Sequence, residues 1–152
     1  MRDYVSAVSL ESRDKVIDEV RDFVRDSGQS PAQLSGTAKI CLSVGYRTDN
    51  MGVALGSALL LAGLGEDAYS ELIGHHLNEG FGTTRRPDLA KAWYEAGINA
   101  VERGGEPVFA PGSPERTDLI RKAVFTAQPG AAKQGSESVK PAATLPTFST
   151  TD

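Results

Sequence analysis

The longest uncharged stretch of this chain runs from Met51 to Gly65 and is apolar on nearly every side when drawn as a helix. A helix of this kind must be covered by neighbours on several faces, so it belongs at the centre of a protein. It falls short of the roughly 20 apolar residues that a membrane-spanning helix needs. With Asp49 or Asn50 as its cap, the stretch predicts a central core helix from Met51 to about Ala62, and no membrane partner.

The rest of the chain repeats one pattern, in which a capping residue precedes apolar residues at helical spacing and a glycine ends the run. No stretch alternates in the manner of a strand. The pattern predicts an all-α fold of antiparallel helical hairpins, with about six helices in a domain over residues 1–127. Its start signals are a serine, a Ser-Pro pair or a proline, found at Ser9 or Ser12, at Ser30-Pro31, at Pro87 and at Ser113-Pro114.

Residues 68–104 read as a helix–turn–helix hairpin around Gly80-Phe81-Gly82. At least one of the two turn glycines is expected to have a positive φ, which only glycine adopts without strain. Phe81 is expected to point back into the hairpin core. In the second helix, Trp93 falls on the inner stripe, and the small residues Ala90 and Gly97 permit close approach of the first helix.

The hairpin resembles a Sel1-like repeat, a tetratricopeptide-like helical hairpin. The likeness rests on small residues and an aromatic pair at the family's spacing: Gly74, Gly80, Gly82, Ala90, Trp93 and Tyr94. In the resemblance Gly74, Gly80 and Gly82 are the structural glycines of the hairpin and its turn. The likeness covers about one repeat, with a partial echo at 54–65, and implies an adaptor that presents a helical surface to proteins or peptides.

The composition argues against several other classes of function. A formal net charge of −4 disfavours a general nucleic-acid binder, which needs a basic face. Cys41 lies in an apolar pattern and is expected to be a small, inert core residue. His75 and His76 are adjacent, so on a helix they diverge by about 100° and cannot easily share one metal ion. We therefore predict no metal, no cofactor and no enzymatic activity.

Two parts of the sequence are candidates for contacts with a protein partner or with further copies of the chain. Arg85 and Arg86 lie in a polar loop after the glycine turn and are expected to be exposed. Residues 128–152 contain too few large apolar side chains to offset their ordering entropy, which predicts a disordered or strap-like tail. Within it, Leu145 and Phe148 are the large side chains near the end that could anchor it on a partner.

Together these features predict a non-enzymatic protein–protein interaction module or adaptor in the cytoplasm. The alternative is a structural subunit of a larger assembly, such as a phage connector or virion protein. A compact helical core followed by a long connector and a strap-like tail suits that alternative. A small complex in solution would favour the adaptor, and a ring or particle would favour the subunit.

Overall fold

The structure is a computed structural model that describes residues 1–109 and 113–126. Over this part of the chain the fold is all-α, as predicted, with seven α-helices and no strand. A short 3₁₀ turn, Asp67–Tyr69, precedes the fifth helix. The helices are α1 (Arg2–Ala7), α2 (Arg13–Asp26), α3 (Pro31–Arg47), α4 (Met51–Gly63), α5 (Ser70–Glu79), α6 (Pro87–Glu102) and α7 (Pro114–Phe125). The predicted tail, 128–152, lies outside the described residues.

Helix α4 is the centre of the core. Every residue from 54 to 59 is buried, and so are the residues from 61 to 63. Helices α1, α2, α3 and α5 all pack against it, which accounts for its lack of a polar face. Gly63 lets α2 come close, because a Cβ at that position would lie 2.5 Å from Cγ1 of Val20. The uncharged stretch therefore sets the order of the helices around it.

Two antiparallel hairpins form most of the fold, and each depends on a close approach between helices. In the first, Gly45 of α3 faces Ala54 of α4, where an added Cβ would lie 2.6 Å from the backbone nitrogen of Ala54. In the second, Gly97 of α6 faces α5, where an added Cβ would lie 2.8 Å from the backbone nitrogen of Glu71. Side chains at these positions would push the helices apart.

The helix starts follow the predicted caps in two cases. Ser30 forms a capping box with Gln33, and the side chain of Asn50 accepts a hydrogen bond from the backbone N–H of Val53. Two elements lie outside the predicted pattern. Residues 2–7 form the short helix α1, and Asp67–Tyr69 form the 3₁₀ turn before α5.

Helix α7 lies at the edge of the fold. None of its described side chains, from Glu115 to Phe125, is buried. Ile120 and Val124 are half-buried against the core, whereas Leu119 is 66% exposed. The helix therefore presents only a narrow apolar line to the rest of the molecule.

Candidate protein-interaction site

The glycines singled out in the sequence serve two different purposes. Gly80 ends α5 in a left-handed conformation (φ +79°), and Gly82 also has a positive φ (+67°). Gly74 does not belong to the turn. It lies within α5, where an added Cβ would lie 2.9 Å from the ring of Tyr94. Its role is to let the Tyr94 ring pack flat on the helix, so its grouping with the turn glycines is corrected.

The predicted core residues of the hairpin lie on the face of α6 that meets the rest of the protein. Trp93 is fully buried, Ala90 and Gly97 are buried beside it, and the guanidinium of Arg13 lies 5.5 Å from the centre of the Trp93 ring. Phe81, by contrast, is 58% exposed. The expectation that it fills the hairpin core is wrong, because the left-handed Gly80 directs the chain away from the helix.

Arg85 and Arg86, the predicted partner contacts, are both engaged within the chain. Nε of Arg85 donates to the carbonyl oxygen of Asn78 (2.8 Å). Arg86 donates to the carboxylate of Asp88 (2.7 and 2.9 Å) and to the carbonyl oxygen of Ser9 (2.7 Å). The Arg86 guanidinium holds the pKa of the Asp88 carboxyl at about 2. These arginines stabilise the turn and connect it to the loop before α2.

His76 forms a buried polar contact between the two hairpins. Its Nδ1 donates to the carbonyl oxygen of Phe81 (2.6 Å), so its Nε2 accepts from the hydroxyl of Tyr46 (2.8 Å). Burial lowers the pKa of His76, although the hydrogen bond to Phe81 acts in the opposite direction. The imidazole is therefore neutral and fixed in one tautomer, and it joins α3 to the turn after α5.

A second polar cluster joins four parts of the chain around Glu71. The carboxylate of Glu71 accepts from Nε2 of His75 (3.3 Å) and from the guanidinium of Arg116 on α7. Nδ1 of His75 accepts from the hydroxyl of Tyr94 on α6 (2.8 Å). Phe109, in the connector before α7, lies 5.0 Å from the Arg116 guanidinium and 6.2 Å from the His75 ring.

Tyr94, His75 and Glu71 form a hydrogen-bonded series in the order of groups found in catalytic relays, but its electrostatics favour a structural role. Burial raises the pKa of Tyr94, and the nearby Glu79 and Glu71 raise it further. The phenol therefore holds its proton and is a poor nucleophile. Burial alone would raise the pKa of Glu71, but His75 and Arg116 outweigh it and hold that pKa below its usual value. Glu71 is thus a charged, paired anchor.

Metal binding and membrane crossing have no support within residues 1–109 and 113–126. No group of three or more histidine, cysteine or acidic side chains there could hold a metal ion. Among the helices of the same residues, none has both the length and the apolar composition needed to cross a membrane.

The candidate interaction site is an apolar groove on the α3–α4 side of the protein. Helices α1 and α3 both pack on α4 and leave between them an open groove of about 580 Å³. Its floor contains the small residues Gly52, Gly56 and Ser57 of α4. Val5 of α1 lies on one side, and Cys41 of α3, half-buried rather than in the core as expected, lies on the other. The groove is accessible and offers few polar groups.

Further apolar side chains are exposed close to this groove. Val53, which lines it, is 39% exposed. Val44 follows three residues after Cys41 on the same side of α3 and is 37% exposed. Single exposed apolar residues are common, but a groove with such neighbours is typical of a surface that binds another protein.

The sequence did not reveal this groove or the Glu71 cluster. Glu71 and Arg116 are 45 residues apart, and the groove forms only where α1, a helix without a recognisable cap, packs on α4. One signal was present, since small residues recur at Gly52, Gly56 and Ser57 on the central helix. The other predicted contacts, Leu145 and Phe148, lie outside the described residues.

Comparisons with models of protein families, with curated proteins and with solved structures found no match.

Proposed function

We propose that this chain is a non-enzymatic protein–protein interaction module, an adaptor built from helical hairpins, and that the groove between α1, α3 and α4 binds its protein partner. The groove is the observation that carries the proposal, because it leaves apolar side chains such as Val53 in water when nothing covers them. A partner segment with an apolar face would remove that surface from water. Gly52, the exposed small residue of the floor, would let a helical backbone approach closely there.

The likeness of residues 68–104 to a Sel1-like repeat belongs to the same proposal. It is supported by the antiparallel packing of α5 and α6, the left-handed Gly80 and the buried Trp93. A cytoplasmic location is part of the adaptor proposal as well. A net charge of −4 agrees with a protein partner rather than a nucleic acid.

The proposal can be tested by site-specific photo-crosslinking of the full chain in its own cells. A photoreactive residue at Thr37, an exposed position that lines the groove, should give one discrete protein adduct. Adding Val53→Glu, on α4 within the groove, should remove the adduct, because the partner would bury an unpaired charge. As a matched control, the same photoreactive residue at Asp18, on the exposed side of α2, should give no discrete adduct.

The size of the adduct distinguishes the two functions considered. A heterologous protein of defined mass supports the adaptor. An adduct at twice the mass of the chain would favour a structural subunit that assembles with copies of itself, with a virion as one possible location. An adduct that persists in the Val53→Glu chain would show that the groove is not the binding site.

A further inference from the structure

Helix α7 is attached to the protein in a way that differs from every other long helix. Helices α2 to α6 each bury several side chains, whereas none from Glu115 to Phe125 is buried. Its contacts are made mainly with α6 and with Glu71 of α5. A helix attached through so little buried surface can separate from the domain without opening the core.

The contacts that do hold α7 follow one line along the helix. Arg116 pairs with Glu71, whose side chain is only 8% exposed, and Ile120 and Val124 follow at intervals of four residues and rest against the core. Residues spaced in this way lie above one another on the same face. The other ion pair of α7, between Arg121 and Glu102 (2.6 Å), is nearly half-exposed on both sides.

Helix α7 also fills its binding face incompletely. An open cleft of about 810 Å³ remains between its residues Ile120 and Val124 and the α5–α6 hairpin, where His75 and Tyr94 form part of the wall. The hairpin face thus has a buried carboxylate at one end and, beyond it, a cleft that α7 fills only in part.

We propose that the face of the α5–α6 hairpin around Glu71, His75 and Tyr94 is a second binding surface. Its partner is an amphipathic helix with an arginine followed four and eight residues later by apolar side chains. Helix α7 occupies the surface until this partner displaces it. The inference deepens the proposed function and rests on it, since it names the partner class of an interaction module.

The chemistry of Glu71 determines which partner is accepted. The Glu71 side chain is 8% exposed beneath the docked α7, so a helix that covered it without supplying a cation would leave its carboxylate charged and poorly hydrated, which is costly. A helix without a cation at this position would therefore be rejected, whereas an arginine restores the charge-assisted hydrogen bond. The apolar residues one and two turns later would then take the places of Ile120 and Val124 on the hairpin face.

Competition from α7 makes the surface selective. A tethered helix acts on its own binding face as though it were present at roughly millimolar concentration. A partner in solution must overcome this competition. Its apparent affinity is its intrinsic affinity multiplied by the fraction of molecules in which the face is free. Weakening the contacts of α7 should therefore increase binding of a helix added in trans.

The test uses the full chain and a fluorescently labelled peptide of residues 113–126 as the probe, with binding measured by fluorescence anisotropy. Arg116→Glu in the full chain places like charges together and releases α7, while Glu71 remains available to the peptide. We expect the peptide to bind this variant about tenfold more tightly than the wild-type chain, the size of one charged hydrogen bond. Arg116→Gln, without the repulsion, should give a smaller increase in the same direction.

Arg121→Glu is the matched control, because it makes the same change of charge on the same helix at a half-exposed pair. It should alter binding by less than about threefold. A peptide carrying the Arg116→Glu change should not bind the released face. The proposal would be overturned if the probe bound all of these chains equally or bound none of them. It would also be overturned if both peptides bound equally.

Failure of this inference can be distinguished from failure of the proposed function. The crosslink at Thr37 reports on the groove and does not depend on α7. If the crosslink is found but the peptide does not distinguish Arg116→Glu from wild type, the adaptor proposal stands and the second surface is rejected. If the peptide behaves as expected and the crosslink is missing, the reverse holds.

Discussion

The α5–α6 hairpin and helix α7 lie side by side but are stabilised by different forces. The hairpin buries Trp93, Tyr94 and most of α5, with glycines that bring the two helices into direct contact. Helix α7 buries no described side chain and depends on Arg116 and a short apolar line. Hydrophobic burial fixes the hairpin permanently, whereas a few polar contacts make the position of α7 dependent on charge. The predictions below test this contrast.

The largest difference should appear when one aromatic side chain is removed from each region. Trp93→Ala should lower the free energy of unfolding by about 3–5 kcal/mol, since Trp93 is fully buried. Phe125→Ala on α7 should lower it by less than about 1 kcal/mol, because Phe125 is 39% exposed. Urea unfolding followed by circular dichroism measures both. Comparable losses would contradict the distinction between the two regions.

A pair of glycine substitutions tests whether close approach holds the hairpin together. Gly97→Ala would place a Cβ 2.8 Å from the backbone of Glu71 and should cost about 1–3 kcal/mol. Gly36→Ala, in α3, meets nothing within 4 Å and should stabilise the protein by about 0.5–1 kcal/mol through helix propensity. Thermal melting of both variants should therefore show shifts of opposite sign. Shifts of the same sign would mean that packing at Gly97 is looser than the geometry indicates.

The pH dependence of stability should report on the buried contact of His76. Burial lowers its pKa from the usual 6.5, so the folded protein binds this proton less tightly than the unfolded chain does. The unfolded state therefore gains protons as the pH falls through 6.5, and the free energy of unfolding should decrease from pH 7.5 to pH 5.5. One such group contributes a slope of at most about 1.4 kcal/mol per pH unit.

His76→Gln provides the control for this experiment, because glutamine has polar atoms to face Tyr46 but does not titrate in this range. The slope between pH 7.5 and pH 5.5 should be smaller in this variant than in the wild-type chain. If both chains show the same slope in urea titrations across this range, another group is responsible and His76 is not the titrating site.

The parts of the fold that sequence reasoning predicted are those governed by local rules. The apolar stretch around α4, the capping box at Ser30 and the cap at Asn50 each depend on residues within a few positions of one another. Helix α1 escaped prediction because it is six residues long and has no side-chain cap. It is stabilised by packing on α4, a contact that no local pattern encodes.

The candidate sites were less accessible to the sequence for the same physical reason. The groove forms where α1 and α3 both pack on α4, and the pairing of Glu71 with Arg116 connects residues far apart in the chain. Phe81 shows the limit of composition as a guide. An aromatic residue between two glycines was expected to be buried, but in this turn the Phe81 carbonyl oxygen accepts from His76 while its side chain faces solvent.

The smallest effects are expected within α7, where two neighbouring residues of the same size can be compared. Ile120 is half-buried against the core and lines the cleft, whereas Leu119 is 66% exposed. Ile120→Ala should reduce the free energy of unfolding by about 1 kcal/mol, below the range for fully buried residues, because only part of its surface leaves water.

Leu119→Ala should change the free energy of unfolding by less than about 0.5 kcal/mol, as is usual for surface positions. Both variants keep the helix propensity of the segment high, so the difference between them isolates burial on the hairpin face. Urea unfolding can resolve such a difference if the two chains are measured in parallel. If Leu119→Ala proves as damaging as Ile120→Ala, α7 docks through a different line of residues. The assignment of Arg116, Ile120 and Val124 as its binding face would then have to be abandoned.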